Sequence, residues 1–335
     1  MITDARALRT EFIPRELRHR DGHIDHLSSV LTPVSLADTG EHVCLYGPSG
    51  SGKTTLAKFT LERLEGEYLD VHWGYVNCFG ESTKQAVLSQ LVRDAGLGRD
   101  LRRDGTPAGV FLDRIREASG NFIAVIDEVD VLTDPRTILT LTEIPDVSVI
   151  TICIDEDQWL SVAGERVRTR LRSAESVTLE KYTHQELLDI LSYRVEHGLV
   201  ASRIPDDALD RIADRAAGNA RVAIALLRRA AKHVTELDMQ EMTPEVVDAV
   251  ADDARSDVRD ARKRSLGTHQ RAIYTIIRET GSAGVDASDL HERYEARVRD
   301  PRTKRMRRQY LDSLERYDLI TSEGSGRWTT YYPVG

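Results

Sequence analysis

Eight residues, Gly47-Pro48-Ser49-Gly50-Ser51-Gly52-Lys53-Thr54, carry the G-x-x-x-x-G-K-T spacing of a phosphate-binding loop. Glycine is needed there because backbone N–H groups must converge on phosphate oxygens, where a side chain would stand in the way. Lys53 is placed to reach the β- and γ-phosphates of a nucleotide, and Thr54 to hold Mg²⁺. Thr55 lies in the first turn of a helix whose positive end faces the same anion. A second pair able to do chemistry, Asp127-Glu128, stands 74 residues beyond Lys53. Asp127 is expected to complete the Mg²⁺ site through water, and Glu128 to polarise an attacking water as general base.

Such groups have to be carried on strand ends. "VCLY" (43–46) supplies β-formers before the glycine loop, and Leu56, Phe59 and Leu64 continue it as a helix with an apolar stripe. "NFIAVIDE" is apolar from Phe122 to Ile126, which suits a parallel strand buried on both faces, and its acids fall at the C-terminal end, where open α/β sheets bind ligands. Strand candidates at 71–78, 147–154 and 175–180 alternate with helical patterns near 82–95 and 108–118, so the fold class is α/β with a parallel sheet.

After residue 180 the pattern turns helical. Thr183 and Glu186 form a capping box, with Tyr182 and Leu187 at the hydrophobic-staple positions. Further helices are expected near 206–216 and 219–234. Arg221 falls in the first turn of the latter, where a cation opposes the helix dipole unless an anion such as a γ-phosphate is near.

Charge is unevenly spread. The 335 residues have a formal net charge of −9, yet residues 262–335 hold 15 Arg and Lys against 10 Asp and Glu. "RDPRTKRMRRQY" (299–310) alone holds six basic side chains, which points to an anionic polymer as partner of a basic module on an acidic body. Thr243-Pro244-Glu245 begins a helix that runs into a basic linker at 261–265. Three helices and a β-prone hairpin follow, the pattern of a winged helix-turn-helix. Its third helix, entering the major groove N-terminus first, would present Arg302, Lys304, Arg305, Arg307 and Arg308 outward, held by Met306 and Tyr310, with Arg327 and Trp328 near the wing tip. Many phosphate contacts make such binding steeply salt-dependent. Lysine is scarce and aspartate plentiful, as in a salt-adapted or GC-rich source. No 18-residue apolar run exists, and the N-terminus lacks the apolar core of a secretory signal, so no membrane partner is expected. Cys44, Cys78 and Cys153 are far apart with no C-x-x-C pair, and are expected to be reduced and buried in a cytoplasmic, nucleoid-associated protein.

The phosphate loop, the Asp-Glu strand, the helical segment and "GNAR" (218–221) resemble an AAA+ ATPase. "FIPRELRHRDGHIDHL" (12–27), "YVNC" (75–78) and "YTHQELLDILSYRV" (182–195), together with "PRTKR" and "YLDSLERYDLI" near the end, are similar to the archaeal replication initiators, relatives of the largest origin-recognition-complex subunit and of cell division control protein six. The resemblance spans nearly the whole chain. It implies an AAA+ P-loop domain over 1–180, a helical lid over 181–260 and a winged-helix DNA-binding domain over 261–335. Tyr182 and Arg194 would contact nucleotide, His19 and Arg20 would lie along the adenine, and Arg221 would be sensor 2. Arg166, or else Arg168, would be the arginine finger, and Ser82–Leu91 a DNA-touching insertion. The tip of the sensor 1 strand, usually a polar Asn, is here Ile154 in "Ile152-Cys153-Ile154-Asp155", which implies slow hydrolysis or a role for Asp155. The implied activity is ATP-dependent recognition of replication origins and help in loading the replicative helicase, with ATP/ADP and Mg²⁺ as cofactors, duplex DNA as partner and self-association on DNA possible. A paralogue acting as a regulator without origin firing, or a faster clamp-loader-like ATPase, remains the alternative. A plain winged-helix transcription factor would need no phosphate loop.

Overall fold

The computed structural model describes residues 1–35, 41–68, 70–80, 82–118 and 120–334; the side chains of residues 33–35 and of Arg327 are outside that description. Five strands, β1 (Val43–Tyr46), β2 (Val71–Asn77), β3 (Asn121–Asp127), β4 (Val147–Ile152) and β5 (Glu175–Thr178), form a parallel sheet in the order β2-β3-β4-β1-β5. β1, β3 and β4 are buried along their whole length, as helices on both faces require. One face is covered by α1 (Asp21–Ser35) and α2 (Lys53–Glu67), which pack Ile24, Leu27, Leu56 and Leu61 on Val43, Ile123 and Ile150. The other carries α3 (Lys84–Asp94), α4 (Ala108–Arg116), α5 (Arg136–Thr142), α6 (Glu156–Ala163) and α7 (Glu165–Leu171). Ser82–Leu91, expected as a DNA-touching insertion, mostly belongs to α3, whose Ala86, Val87, Leu88, Ser89 and Leu91 are buried in that core.

A second core is helical: α8 (His184–Gly198), α9 (Asp206–Ala216), α10 (Ala220–Glu236), α11 (Pro244–Ala249) and α12 (Ala251–Ser265). The Thr183–Glu186 capping box opens α8 as its residue spacing requires. Leu8 joins this core, so the first residues pack with the lid. The segment at 261–265, expected as a linker, is the last turn of α12, where Arg262, Lys263 and Arg264 suit the negative end of the helix dipole.

The C-terminal part comprises α13 (Thr268–Thr280), β6 (Val285–Asp286), α14 (Ala287–Arg297), α15 (Lys304–Arg316), β7 (Ile320–Glu323) and β8 (Thr330–Pro333). The hairpin of β7 and β8 is present, and β6 adds a third antiparallel strand beside β8, which gives a winged-helix arrangement. Two residues of β6 are too short to carry a strand pattern in the sequence. The core of this part, including Ile273, Ile277, Tyr310 and Leu314, is continuous with the α3–α7 side of the sheet.

Candidate functional site

Gly52 precedes α2 at φ +93°, and the loop from Gly47 leads straight off β1. Gly50 is at φ +80°, and a Cβ there would stand 2.0 Å from the Asn219 side-chain oxygen. A Cβ on Gly52 would meet the Tyr182 hydroxyl at 2.5 Å, so both glycines admit the lid to the loop. The lid is fixed there by the Ala220 N–H, which donates to the Gly50 carbonyl at 3.2 Å. Lys53 Nζ donates to the carbonyls of Gly47 (2.6 Å) and Pro48 (2.9 Å), and burial pulls its pKa down to about 8. Ser51 is fully buried; Ser49, Thr54 and Thr55 line the pocket.

Asp127, at the end of β3, accepts hydrogen bonds on Oδ2 from Thr54 Oγ1 (2.6 Å) and Tyr75 OH (2.9 Å). The Thr54 hydroxyl and the Asp127 carboxylate are hard oxygen donors of the kind Mg²⁺ takes, one or two at a time, beside waters and phosphate. Glu128 follows at φ +53°, a left-handed conformation that costs a non-glycine residue energy and is retained where a site needs it. Burial, with the Asp127 carboxylate beside it, pushes the Glu128 pKa up to about 7.

Tyr182, Arg194 and Arg221 all line the pocket. Arg194 also holds the fold together, because its guanidinium donates to the carbonyls of Ala7 (2.8 Å), Arg9 (3.3 Å) and Phe12 (3.1 Å) and so binds the N-terminal segment to α8. His19 and Arg20 are not among the lining residues; Thr10, Pro14, Glu16, Leu17 and Arg18 occupy that wall. Arg20 is buried, donating to the carbonyls of Ser51 (3.0 Å) and Glu180 (2.9 Å) with its guanidinium 4.1 Å from the Tyr182 ring centroid; it props the loop from outside. His19 pairs with Asp189 at 2.8 Å. Their placement follows from φ +60° at His19, which turns the chain away from the pocket into α1.

Cys153 and Ile154 line the pocket at the tip of β4, and Asp155 turns elsewhere: its carboxylate caps α6, accepting from the Gln158 N–H at 2.8 Å. Arg166 does not reach the phosphate loop. It lines a second cavity, between the α5–α7 side of the sheet and the start of α15, while Arg168 pairs with Glu165.

Two lining residues come from beyond the start of the lid: Arg262 from the last turn of α12 and Tyr317 from the C-terminal part. Arg262 Nη2 donates to Ser49 Oγ at 3.0 Å, and its guanidinium lies 3.8 Å from the Tyr317 ring centroid. The only signal in the sequence is the basic run at 261–265, which reads as helix-end charge or linker when its distant partner cannot be seen.

The basic stretch divides. Lys304 and Arg308 are exposed on α15, and Trp328 is 72% exposed at the hairpin turn with Arg327 beside it in the chain. Arg307 is the correction: it is buried, paired with Glu295 at 2.8 Å and set 5.3 Å from the Tyr294 ring centroid, because Tyr310 and Leu311 turn its side of the helix inward. Met306 is half-buried. Arg302 and Arg305 line the second cavity, Arg305 donating to the Val162 carbonyl at 3.0 Å, so they face the sheet part as well as solvent.

A phosphate loop after an inner strand of a β2-β3-β4-β1-β5 parallel sheet, an Asp-Glu pair on β3 and an arginine at the start of a lid helix define a P-loop ATPase of the AAA class. Residues 37–154 match the family model of the AAA domain, and residues 188–252 that of the Cdc6 AAA+ ATPase-type lid domain. The chain is 40% identical over 332 residues, 99% of its length and 93% of the relative's, to ORC1-type DNA replication protein 9 of Halobacterium salinarum. It is 38% identical to ORC1-type DNA replication protein 1 of the same organism, over 91% of this chain and 99% of that one. The chain belongs to the ORC1-type DNA replication protein family. Its fold is that of the Aeropyrum pernix ORC1 protein solved in complex with DNA, with a TM-score of 0.74 at 22% identity over 100% of this chain and 94% of that one. The ADP form of the A. pernix ORC2 protein matches with a TM-score of 0.68 at 25% identity, over 99% and 94%.

Proposed function

We propose that this chain is an ATP-regulated DNA-binding protein that recognises replication origins and helps initiate chromosome replication. The observation that carries this is one chain in which a complete phosphate-loop pocket and a basic winged helix share a continuous core, in a family of replication proteins. ATP or ADP would lie between the sheet over 1–180 and the lid over 181–260, with Lys53, Arg221 and the loop amides on the phosphates. Thr54 and Asp127 would hold Mg²⁺, whose chemistry is to neutralise charge on the terminal phosphates. Glu128 would orient the attacking water. Ile154 offers no hydrogen bond to that water, which favours slow hydrolysis acting as a switch. Duplex DNA would dock on residues 261–335, with Lys304, Arg308 and the wing at Arg327 and Trp328 as the outer contacts, and Arg302 and Arg305 at the inner edge. Arg166, remote from the chain's own phosphate loop, would serve the pocket of a neighbouring copy on DNA. Recruitment of the replicative helicase would follow from the bound state, in a nucleoid-associated cytoplasmic protein.

The test is a footprint of the full chain on candidate origin DNA with ATP, with ADP and without nucleotide. A pattern that changes between ATP and ADP, and loses that change in Lys53→Ala, is expected. Identical footprints in all three states would overturn the nucleotide-regulated reading. Rapid turnover abolished in Glu128→Gln would instead favour a motor.

A further inference from the structure

Arg262 is held unlike the carboxylate-paired arginines of this chain, and unlike the buried Arg20 and Arg194, which donate to backbone carbonyls. Arg114, Arg211 and Arg297 each donate to both oxygens of one carboxylate, those of Asp100, Asp248 and Glu279. The Arg262 side chain is only 11% exposed, yet Glu128 Oε1 stands 3.8 Å away, beyond hydrogen bonding, and the bond at 3.0 Å goes to the neutral Ser49 hydroxyl. A guanidinium has five N–H donors, and burying one without a close anion is unfavourable. Arg18, Lys53, Arg194 and Arg221 line the same pocket, so five cations face the three carboxylates Glu16, Asp127 and Glu128, a balance that calls for an anion.

The position is specific. Ser49 lies within the phosphate loop, and Glu128 follows Asp127 at the end of β3; both line the pocket. The guanidinium rests on Tyr317, whose ring meets Phe79 edge-on with centroids 4.9 Å apart. Arg316, next to Tyr317, pairs with Asp130, two residues past Glu128. On the other side, α12 passes through Leu266-Gly267 directly into α13, and the Gly267 N–H donates to the Phe79 carbonyl at 3.1 Å. Arg262 thus sits at the root of the basic module while its charge lies in the nucleotide pocket.

We infer that Arg262 is a ligand for the terminal phosphate of a bound nucleoside triphosphate, supplied from the base of the winged helix, and that Tyr317 is the positioning residue that holds its guanidinium there. The inference rests on the nucleotide reading of the pocket. A diphosphate lacks the γ-phosphate that this arginine would meet, so the contact exists in one nucleotide state only, and its strain or relief is transmitted along α12 into α13. The DNA-binding module would then sense the nucleotide directly, in addition to any movement of the lid.

The experiment measures affinity of the full chain for a non-hydrolysable ATP analogue and for ADP by titration, together with hydrogen exchange across 251–280 in each state. Arg262→Ala is expected to weaken the triphosphate roughly ten- to hundredfold, the loss of one charge-assisted hydrogen bond, with ADP affinity unchanged. Arg262→Lys should recover part of the loss. Tyr317→Phe should keep the discrimination, because the ring is kept, and Tyr317→Leu should lose it while ADP affinity stays. The difference in exchange between the two nucleotides should vanish in Arg262→Ala. Discrimination intact in Arg262→Ala, or both nucleotides weakened equally in Arg262→Ala and Arg262→Lys, would assign a packing role and overturn the inference alone. Retention of neither nucleotide by the unaltered chain would bring down the nucleotide reading and this inference with it.

Discussion

Arg307 separates a DNA-contacting charge from a folding charge within one helix. Its neighbours in sequence, Lys304 and Arg308, are exposed, whereas the Arg307 side chain is 4% exposed and paired with Glu295 at 2.8 Å. Because Glu295 is itself half-exposed, the pair contributes less than about 1 kcal/mol after solvent screening. The cation–π contact with Tyr294, 5.3 Å from the centroid, adds about 1 kcal/mol. Burial of the aliphatic stem adds about 1 kcal/mol more. Arg307→Ala should therefore cost about 2–3 kcal/mol, or roughly 5–10 °C of Tm at about 2–4 °C per kcal/mol for a cooperative unit of this size. Arg308→Ala should leave Tm within about 1–2 °C, since surface substitutions usually stay within about 0.5 kcal/mol. For DNA binding followed against salt concentration, the order reverses. Arg308→Ala should lower the slope of log K against log[salt] by about 1, and Arg307→Ala, measured well below its Tm, should leave the slope unchanged. An Arg307→Ala protein that melts normally and loses a unit of salt slope would refute the reasoning.

Three further outcomes follow from the pocket. Gly50→Ala should reduce nucleotide affinity at least tenfold while leaving the sheet folded, because a side chain at φ +80° strains the loop and a Cβ 2.0 Å from the Asn219 oxygen displaces the side chain that caps α10 beside it; equilibrium titration with ADP checks it, and unchanged affinity would sink it. Arg194→Ala should destabilise by about 2–4 kcal/mol in urea, since three carbonyls of the N-terminal segment lose their donor, and should open residues 9–12 to protease; unaltered cleavage would count against it. Hydrolysis should rise about tenfold per pH unit up to about 7 and then level off, because Glu128, its pKa raised by burial and Asp127, is protonated below that pH and acts as a base only above it; a single-turnover profile flat from pH 5 to 9 would exclude Glu128 as the base.

What the sequence disclosed, and what it withheld, divides by the distance over which a residue's partner lies. The phosphate loop, the buried strand ending in Asp127 and the Thr183–Glu186 capping box are legible because their determinants sit within a few residues: glycine conformations, an apolar run, a side chain reaching three positions along. The amphipathic α9, α10 and α13 are legible for the same reason. His19 and Arg20 escape sequence reasoning because a single left-handed residue redirects the chain, and nothing in the composition of 12–27 announces it. Arg307 escapes it because a charge run looks uniform until the helix is rotated against its core. Arg262 is the far case: its partner Ser49 lies 213 positions away, and Arg316 reaches Asp130 across 186. A basic helix end has a complete local explanation in the helix dipole, so no local inconsistency flags it. Both pairs lie at the edge of the core that joins the C-terminal part to the α3–α7 side of the sheet, so they link parts of the fold that are far apart in the chain. Residues that connect modules are therefore found by asking which charged side chains reach partners in a distant part of the chain, a question that only a folded chain can answer.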